Sequence, residues 1–98
     1  MPTRSKTTEV QEVVHPGAIL DQVLKEREMT QKDLSDAIGK STPVINDIIK
    51  QRRSISPEIA YMLEAIFEDI PAIEWLSYQS QYDLAMIQID EAEANKRG

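Results

Sequence analysis

The segment Gln31–Arg53, QKDLSDAIGKSTPVINDIIKQRR, carries the pattern that decides the fold. Gly39 divides it into two short apolar runs, and glycine accepts the left-handed conformation in which helices often end. Ser41 and Pro43 then give the sequence of a helix start. The segment therefore predicts two short helices joined by a tight turn. Their inward-facing residues are Leu34, Ala37 and Ile38 in the first helix, and Val44, Ile45, Ile48 and Ile49 in the second.

The small side chain of Ser35 and the polar outer surface of the second helix favour a helix-turn-helix. In that motif the second helix crosses the first closely and offers polar side chains to the major groove of DNA. Two positions depart from the usual pattern, because alanine is commoner than Ser35 and an apolar residue is commoner than Lys40. The alternative is a plain helical hairpin packed on its neighbours. The outer surface comprises Thr42, Pro43, Asn46, Asp47 and Lys50.

Two kinds of residue are candidates for contacts with DNA phosphates. The start of the second helix, with Ser41 and Thr42, can donate N–H and hydroxyl groups, and Gln31 at the start of the first helix can do the same. The predicted cationic contacts are Lys50, Arg52 and Arg53.

Asn46 is the best candidate for reading a base, because a carboxamide pairs with adenine through two hydrogen bonds. The carboxylate of Asp47 repels phosphate, so it must point at a cytosine amino group, pair with Lys50 or Arg52, or face away. The candidates for contact with a thymine methyl group are Thr42 and Pro43.

The net charge of −6 is unusual for a DNA-binding protein, but it is unevenly distributed. Residues 40–53 hold four basic residues and one acid, a net of +3. Residues 54–98 hold nine acids and two bases, a net of −7. DNA is therefore expected to meet the basic segment, with the acidic half facing away. The alternative is that the basic cluster is an ordinary solvated turn.

The rest of the chain predicts three more helices and hence an all-α fold of five helices. The first helix is expected over about residues 16–28, and the fifth from residue 71 or 72 to about residue 92. Ser56 followed by Pro57 marks the start of the fourth helix.

The chain is long enough for one small domain with one core. We expect three parts. They are a flexible arm at residues 1–14, the helix-turn-helix domain with a C-terminal dimerisation helix at residues 15–92, and a polar tail at residues 93–98.

Composition argues against several classes of function. There is no cysteine and His15 is the only histidine, so thiolate and multi-histidine metal sites are excluded, and neither a metal nor a cofactor is expected. One histidine and scattered acids do not make a catalytic set, so no enzyme is expected. No apolar run reaches the ~20 residues of a membrane span, and no apolar stretch follows Arg4 and Lys6 as in a signal peptide. These features predict a cytoplasmic protein.

The last predicted helix carries a stripe of large residues that suggests a homodimer. Trp75, Tyr82, Met86 and Ile89 follow one another at steps of seven, four and three residues, and Gln79 fills the gap. This spacing is similar to that of a coiled coil. For Trp75 the alternative is a place in the core. A two-fold dimer predicts a palindromic operator with half-sites about one DNA turn, or a multiple, apart.

Four ordered motifs resemble the HigA-type antitoxins of the Xre helix-turn-helix family. The motifs are His15-Pro16-Gly17, residues 29–34 (MTQKDL), residues 53–60 (RSISPEIA) and residues 75–85 (WLSYQSQYDLA). The resemblance implies a lambda-repressor-like domain that forms a dimer, represses its own operon and neutralises a partner ribonuclease toxin. A stand-alone Xre-type transcription regulator without a toxin is the alternative, and a pure protein-interaction module is a further one.

The charge distribution also supports a basic toxin partner. The C-terminal half has a net charge of −7, which attracts a positively charged, RNA-binding protein such as a ribonuclease. The alternative is that this charge merely keeps the protein soluble. Val10, Val13 and Val14 of the N-terminal arm are a candidate anchor that orders against the partner.

Overall fold

The computed structural model describes residues 13–97, with side-chain surroundings for residues 13–91. Over residues 13–97 it contains five α-helices and no strand, which confirms the all-α fold of five helices. Most of the predicted arm, residues 1–12, lies outside the described residues. The helices are α1 (Pro16–Glu26), α2 (Gln31–Ile38), α3 (Thr42–Ile49), α4 (Pro57–Ile66) and α5 (Ala72–Arg97).

One hydrophobic core joins the five helices. Helices α1 and α2 pack on α3, and α5 packs mainly on α4. Ala37 is exposed, so its predicted place in the core was wrong, and Leu34 and Ile38 alone anchor α2. The buried apolar residues are Leu20, Val23, Leu24, Leu34, Ile38, Ile45, Ile48, Ile55, Ile59, Ala60, Leu63, Phe67 and Trp75.

Polar side chains fix the starts of α2 and α4, as the sequence predicted. Thr30 accepts a hydrogen bond from the N–H of Asp33 at 3.0 Å, and the Asp33 carboxylate accepts one from the N–H of Thr30 at 3.0 Å. This bond from the Thr30 backbone lowers the pKa of Asp33. Ser56 accepts from the N–H of Ile59 at 3.2 Å. Each bond satisfies an N–H group that a helix start would otherwise leave without a partner.

Two helices, α1 and α3, are followed by a left-handed residue that is not glycine, so no glycine in the sequence marks their ends. Glu28 after α1 and Gln51 after α3 have φ angles of 55° and 66°, in the left-handed region. In each turn two backbone N–H groups bond back to the last helical carbonyls, the Schellman arrangement. Helix α1 therefore ends at Glu26, two residues before its predicted end.

Helix α5 continues to Arg97, five residues beyond the end predicted near Ala92. The added residues are strong helix formers for the most part, and neither glycine nor proline interrupts them before Gly98. The segment predicted as a polar tail is therefore helical as far as Arg97.

The backbone at the start of α1 lies directly against the backbone at the end of α3. A Cβ atom placed on Gly17 would lie 1.8 Å from the carbonyl oxygen of Ile48, so only glycine allows this approach. Pro16 occupies the first helical turn, where its missing N–H costs nothing. The His15-Pro16-Gly17 sequence thus combines a helix start with the closest contact between α1 and α3.

His15 caps α1 in its neutral form. Its Nδ1 accepts a hydrogen bond from the N–H of Gly17 at 2.8 Å, and an accepting nitrogen carries no proton. The ring is 4% exposed and stands edge-on to Tyr82 of α5, with 4.8 Å between ring centroids. Burial lowers the pKa of His15, and the carboxylate of Asp83 offsets this only in part. Folding therefore favours the uncharged ring.

We expect Gly17→Ala to destabilise the fold by about 3 kcal/mol or more, because its methyl group overlaps a backbone atom that no side-chain movement relieves. Gly39→Ala is the matched control. A Cβ at Gly39 meets nothing within 4 Å, so only its left-handed φ of 73° is penalised, at about 1–2 kcal/mol. Chemical denaturation measures both free energies of unfolding. If both variants lost the same free energy of unfolding, the result would contradict the close approach of Gly17 to the carbonyl oxygen of Ile48.

We also expect the stability to fall as the pH drops below the 6.5 of an unperturbed histidine. The folded pKa of His15 lies lower, so the unfolded chain takes up the proton first and acidification favours unfolding. Above that pH the contribution of the neutral His15 to the stability of the fold is fully present. His15→Asn keeps an acceptor for the Gly17 N–H but does not titrate. Denaturation between pH 7.5 and about 5.5 should show a flatter pH dependence for this variant, and parallel curves would rule out His15 as the source.

Candidate nucleic-acid interface

The start of α3 is an exposed part of the helix-turn-helix. Ser41, Thr42 and Pro43 are all exposed, and Ser41 has the extended backbone of a residue that precedes a helix. Its position as N-cap was predicted, but its hydroxyl makes no capping hydrogen bond. The hydroxyl groups of Ser41 and Thr42 therefore lie free at the positive end of a helix dipole, where a phosphate oxygen is favoured.

Asn46 and Gln31 lie together on the outer surface of α3 and α2. The Nδ2 of Asn46 donates to the Oε1 of Gln31 at 3.3 Å, and both side chains are half-buried. The sequence assigned one residue to a base and the other to a phosphate. Their contact orients the carboxamide of Asn46 and leaves its oxygen and one of its N–H groups available for other partners. The contacts of Asn46 with a base and of Gln31 with a phosphate stay predictions.

Asp47 pairs with Arg52, one of the alternatives that the sequence left open. The carboxylate lies 3.7 Å from the guanidinium, and the N–H of Arg52 also donates to the Asp47 carbonyl oxygen at 2.8 Å. Both side chains are exposed, and an ion pair in that setting contributes only about 0–1 kcal/mol. The pair lowers the net charge around Arg52, and the predicted contact of Arg52 with a phosphate stays a prediction.

Ser35 and Lys40, the two residues that depart from the common motif, also have polar partners. The Ser35 hydroxyl donates to the carbonyl oxygen of Lys40 and so closes the turn around Gly39. The Nζ of Lys40 lies 3.3 Å from a carboxylate oxygen of Glu58, at the start of α4. Serine is therefore used here for a hydrogen bond, and Lys40 is directed towards α4.

Within the described part of the chain, Lys50 and Arg53 are the two cations of residues 40–53 without a carboxylate partner. Both are exposed, and neither has an ion-pair partner among residues 13–91. Of the four basic residues in the +3 segment, two are paired with carboxylates and two are free. Electrostatic attraction to the phosphate backbone is therefore concentrated at the end of α3 and the loop that follows.

Gln79 positions that loop, and the sequence pattern gave it no such role. Its Oε1 accepts the N–H of Ile55 at 2.8 Å, and its Nε2 donates to Asp83 at 3.0 Å. The side chain is 6% exposed. A buried glutamine on the core face of α5 thus ties down the chain two residues after Arg53. The available signal was a polar residue within an otherwise apolar helical stripe.

The predicted dimer stripe divides into two parts. Trp75 is 0% exposed, so its assignment to a dimer interface was wrong, because a side chain fully enclosed by its own core has no surface to offer. Tyr82 is half-buried against His15. Met86 and Ile89 are exposed, and their contact with a second copy stays a prediction.

Within residues 13–97 no helix is long and apolar enough to cross a membrane. Over the same part of the chain, no group of three or more acids or histidines is placed to hold a metal ion.

Comparison with known proteins gives the family. The helix-turn-helix family (HTH_3) matches residues 20–75. Virulence-associated protein I of Dichelobacter nodosus is 34% identical over 83 residues, which are 84% of this chain and 76% of that protein.

Solved structures agree with this match. A Pseudomonas aeruginosa protein in complex with its operator DNA is 34% identical, with a TM-score of 0.77 over 85% of this chain and 91% of that one. The Pseudomonas aeruginosa antitoxin HigA with the higBA promoter is 33% identical, with a TM-score of 0.77 over 88% and 94% of the two chains. The chain therefore belongs to the Xre-like helix-turn-helix family. The similarity to the Pseudomonas aeruginosa antitoxin HigA confirms the resemblance seen in the four motifs.

The free cations predict the salt dependence of DNA binding. Lys50→Ala or Arg53→Ala should each reduce the slope of log affinity against log salt by about 0.9, the value for one lost phosphate contact. The double variant Asp47→Asn/Arg52→Gln removes a charge-neutral pair and should leave the slope nearly unchanged. Titrations at several salt concentrations measure these slopes. If the double variant loses as much slope as Arg53→Ala, Arg52 contacts phosphate after all.

Proposed function

We propose that this chain is the antitoxin of a type II toxin–antitoxin pair. As a homodimer it binds a palindromic operator and represses its own operon, and it neutralises a basic ribonuclease toxin in the cytoplasm. The observation that supports this most is the free outer face of α3. It carries Asn46, hydrogen-bonded to Gln31, and is followed directly by two free cations, Lys50 and Arg53. The chain is 33–34% identical to Pseudomonas aeruginosa proteins solved with operator or promoter DNA.

On DNA, α3 would lie in the major groove with its start towards one phosphate strand. The hydroxyl groups of Ser41 and Thr42 donate to phosphate there. Asn46 then faces the base edges, and the hydrogen bond to Gln31 holds its carboxamide before DNA arrives. Because that orientation is already fixed, less side-chain freedom is lost on binding.

Binding of a basic toxin is supported by the charge of the other half of the protein. Residues 54–91 hold eight acids and no base. Such a field speeds the encounter with a cationic partner and repels DNA from the same face. The outer surface of α4 gives this half a shaped contact, because Tyr61 is 71% exposed and lines an open pocket of about 270 Å³ with Glu64, Ala65 and Glu68.

The N-terminal arm remains part of the proposal as a second contact with the toxin. Val13 is half-buried and Val14 is 40% exposed, whereas Val10 lies outside the described residues. A segment that orders on a partner gives up conformational entropy on binding but adds apolar contact.

The two activities should separate by mutation. Asn46→Ala should weaken operator binding by about 1–3 kcal/mol and relax the preference at one base pair, as measured by selection from randomised DNA. The same variant should still protect cells from the toxin, since the proposed toxin contact lies on α4 and not on α3. Identical selected sites for variant and wild type would exclude Asn46 as a reader.

The converse variant is Tyr61→Ala/Glu68→Lys, which alters the outer surface of α4 and the turn that follows it. It should retain operator binding but lose co-purification with the toxin encoded beside it. Both substituted side chains are exposed, so the fold should survive. Co-expression supplies the growth test, in which the adjacent gene should arrest growth alone and be tolerated with the wild-type chain. An adjacent gene that is harmless and never co-purifies would leave a stand-alone regulator.

A further inference from the structure

The loop of residues 50–56 is held at two points, and the free cation Arg53 lies between them. On one side the N–H of Arg52 donates to a carbonyl oxygen of α3 at 2.8 Å. On the other side the N–H of Ile55 donates to Oε1 of Gln79 in α5, also at 2.8 Å. Arg53 is exposed, and its backbone makes no hydrogen bond with the described residues. Its place on the surface therefore depends on the two bonds beside it.

Asp83 fixes which end of the Gln79 amide faces the loop. A carboxylate can only accept, so the 3.0 Å contact between the two side chains uses the Nε2 of Gln79 as donor. The amide oxygen is then left to accept from Ile55. If the amide turned over, its NH2 group would face the N–H of Ile55 and its oxygen would face the carboxylate. Gln79 is 6% exposed, so water cannot readily replace the bonds that would be lost.

We propose that Gln79, oriented by Asp83, is a positioning residue for DNA binding, because it sets the loop from which Arg53 reaches a phosphate. A cation on a loop that is already in place loses less freedom when it binds. A cation on a loop that moves is on average further from its phosphate and releases fewer counterions. The inference rests on the proposed operator binding and adds to it a buried residue that does not touch DNA.

Lys50 provides an internal comparison. Its backbone N–H donates to the carbonyl oxygen of Asn46 at 2.8 Å, as a continuation of the bonds within α3. Helix α3 itself thus fixes Lys50, whereas the bond to Gln79 comes five residues later. Gln79 should therefore influence the phosphate contact of Arg53 but neither that of Lys50 nor the base contact proposed for Asn46.

Gln79→Met tests the inference, since methionine has a similar size but forms neither hydrogen bond. It should reduce the slope of log affinity against log salt by about 0.9, as Arg53→Ala does. Over a fourfold rise in salt, the fall in affinity should then be about 3.5-fold smaller than for the wild type. Selection from randomised DNA should return the same sites as the wild type, because α3 is unchanged.

A double-mutant cycle separates positioning from a general effect on the fold. When Arg53 is already alanine, Gln79→Met should cause no further loss of affinity. When Lys50 is alanine instead, Gln79→Met should have its full effect. A residue that only stabilises the fold would weaken binding equally in both backgrounds.

Asp83→Asn is the second variant, because Asp83 is exposed and its replacement should leave the fold intact. Asparagine offers both an oxygen and an NH2 group, so it no longer fixes the Gln79 amide. Loss of an acid ordinarily strengthens binding to DNA. We expect weaker binding here, and no further weakening when Arg53 is already alanine. Asp90→Asn, the same charge change at an exposed position seven residues further along α5, should not weaken binding.

The outcomes separate this inference from the proposed function. If Gln79→Met adds its full loss to that of Arg53→Ala, or if Asp83→Asn binds as Asp90→Asn does, the positioning role is overturned and operator binding stands. If Gln79→Met does not show native helix content by circular dichroism, the cycle with Asp83→Asn decides. If Arg53→Ala leaves the salt slope unchanged, the positioning role falls with that phosphate contact, and Asn46→Ala shows separately whether α3 reads the operator.

Discussion

The approach of Gly17 to the carbonyl oxygen of Ile48 is the contact on which the placement of α3 depends. It brings backbone against backbone, so α1 cannot shift along α3 without a clash or a gap. His15 connects this contact to α5, because its ring caps α1 and packs edge-on against Tyr82 of α5. Three helices are thereby fixed around the end of the helix that would read DNA, and the orientation of that helix follows from the core.

Helix α5 contributes both to the core and to the surface. On its inner side Trp75 fills the core, and Gln79 accepts the N–H of Ile55, which holds the loop that follows Arg53 in place. On its outer side Ile73, Leu84 and Ile87 are exposed. The position of the loop after α3 therefore depends on a helix that is distant from it in the sequence.

Features coded within a few residues were predictable from the sequence, and features that depend on distant residues were not. The starts of α2 and α4 follow from local caps, and Gly39 marks the end of α2. The ends of α1 and α3 were not predictable in this way, because Glu28 and Gln51 adopt the left-handed conformation although they are not glycine. Each candidate DNA-binding residue has a place on the surface, but the pairing of Asp47 with Arg52 and of Asn46 with Gln31 required the fold. Trp75 was misassigned because periodicity alone does not tell an inner stripe from an interface.

The pairing of Arg52 with Asp47 and of Lys40 with Glu58 has a consequence for how the protein finds its target. Each cation withdrawn from the phosphate backbone weakens binding to DNA of any sequence far more than it weakens recognition of bases. With two of the four cations of residues 40–53 paired, attraction to DNA of any sequence is expected to be weaker than the +3 charge of the segment alone indicates. A protein of this kind would search by frequent release and rebinding rather than by long sliding, and would dwell mainly where base contacts hold it.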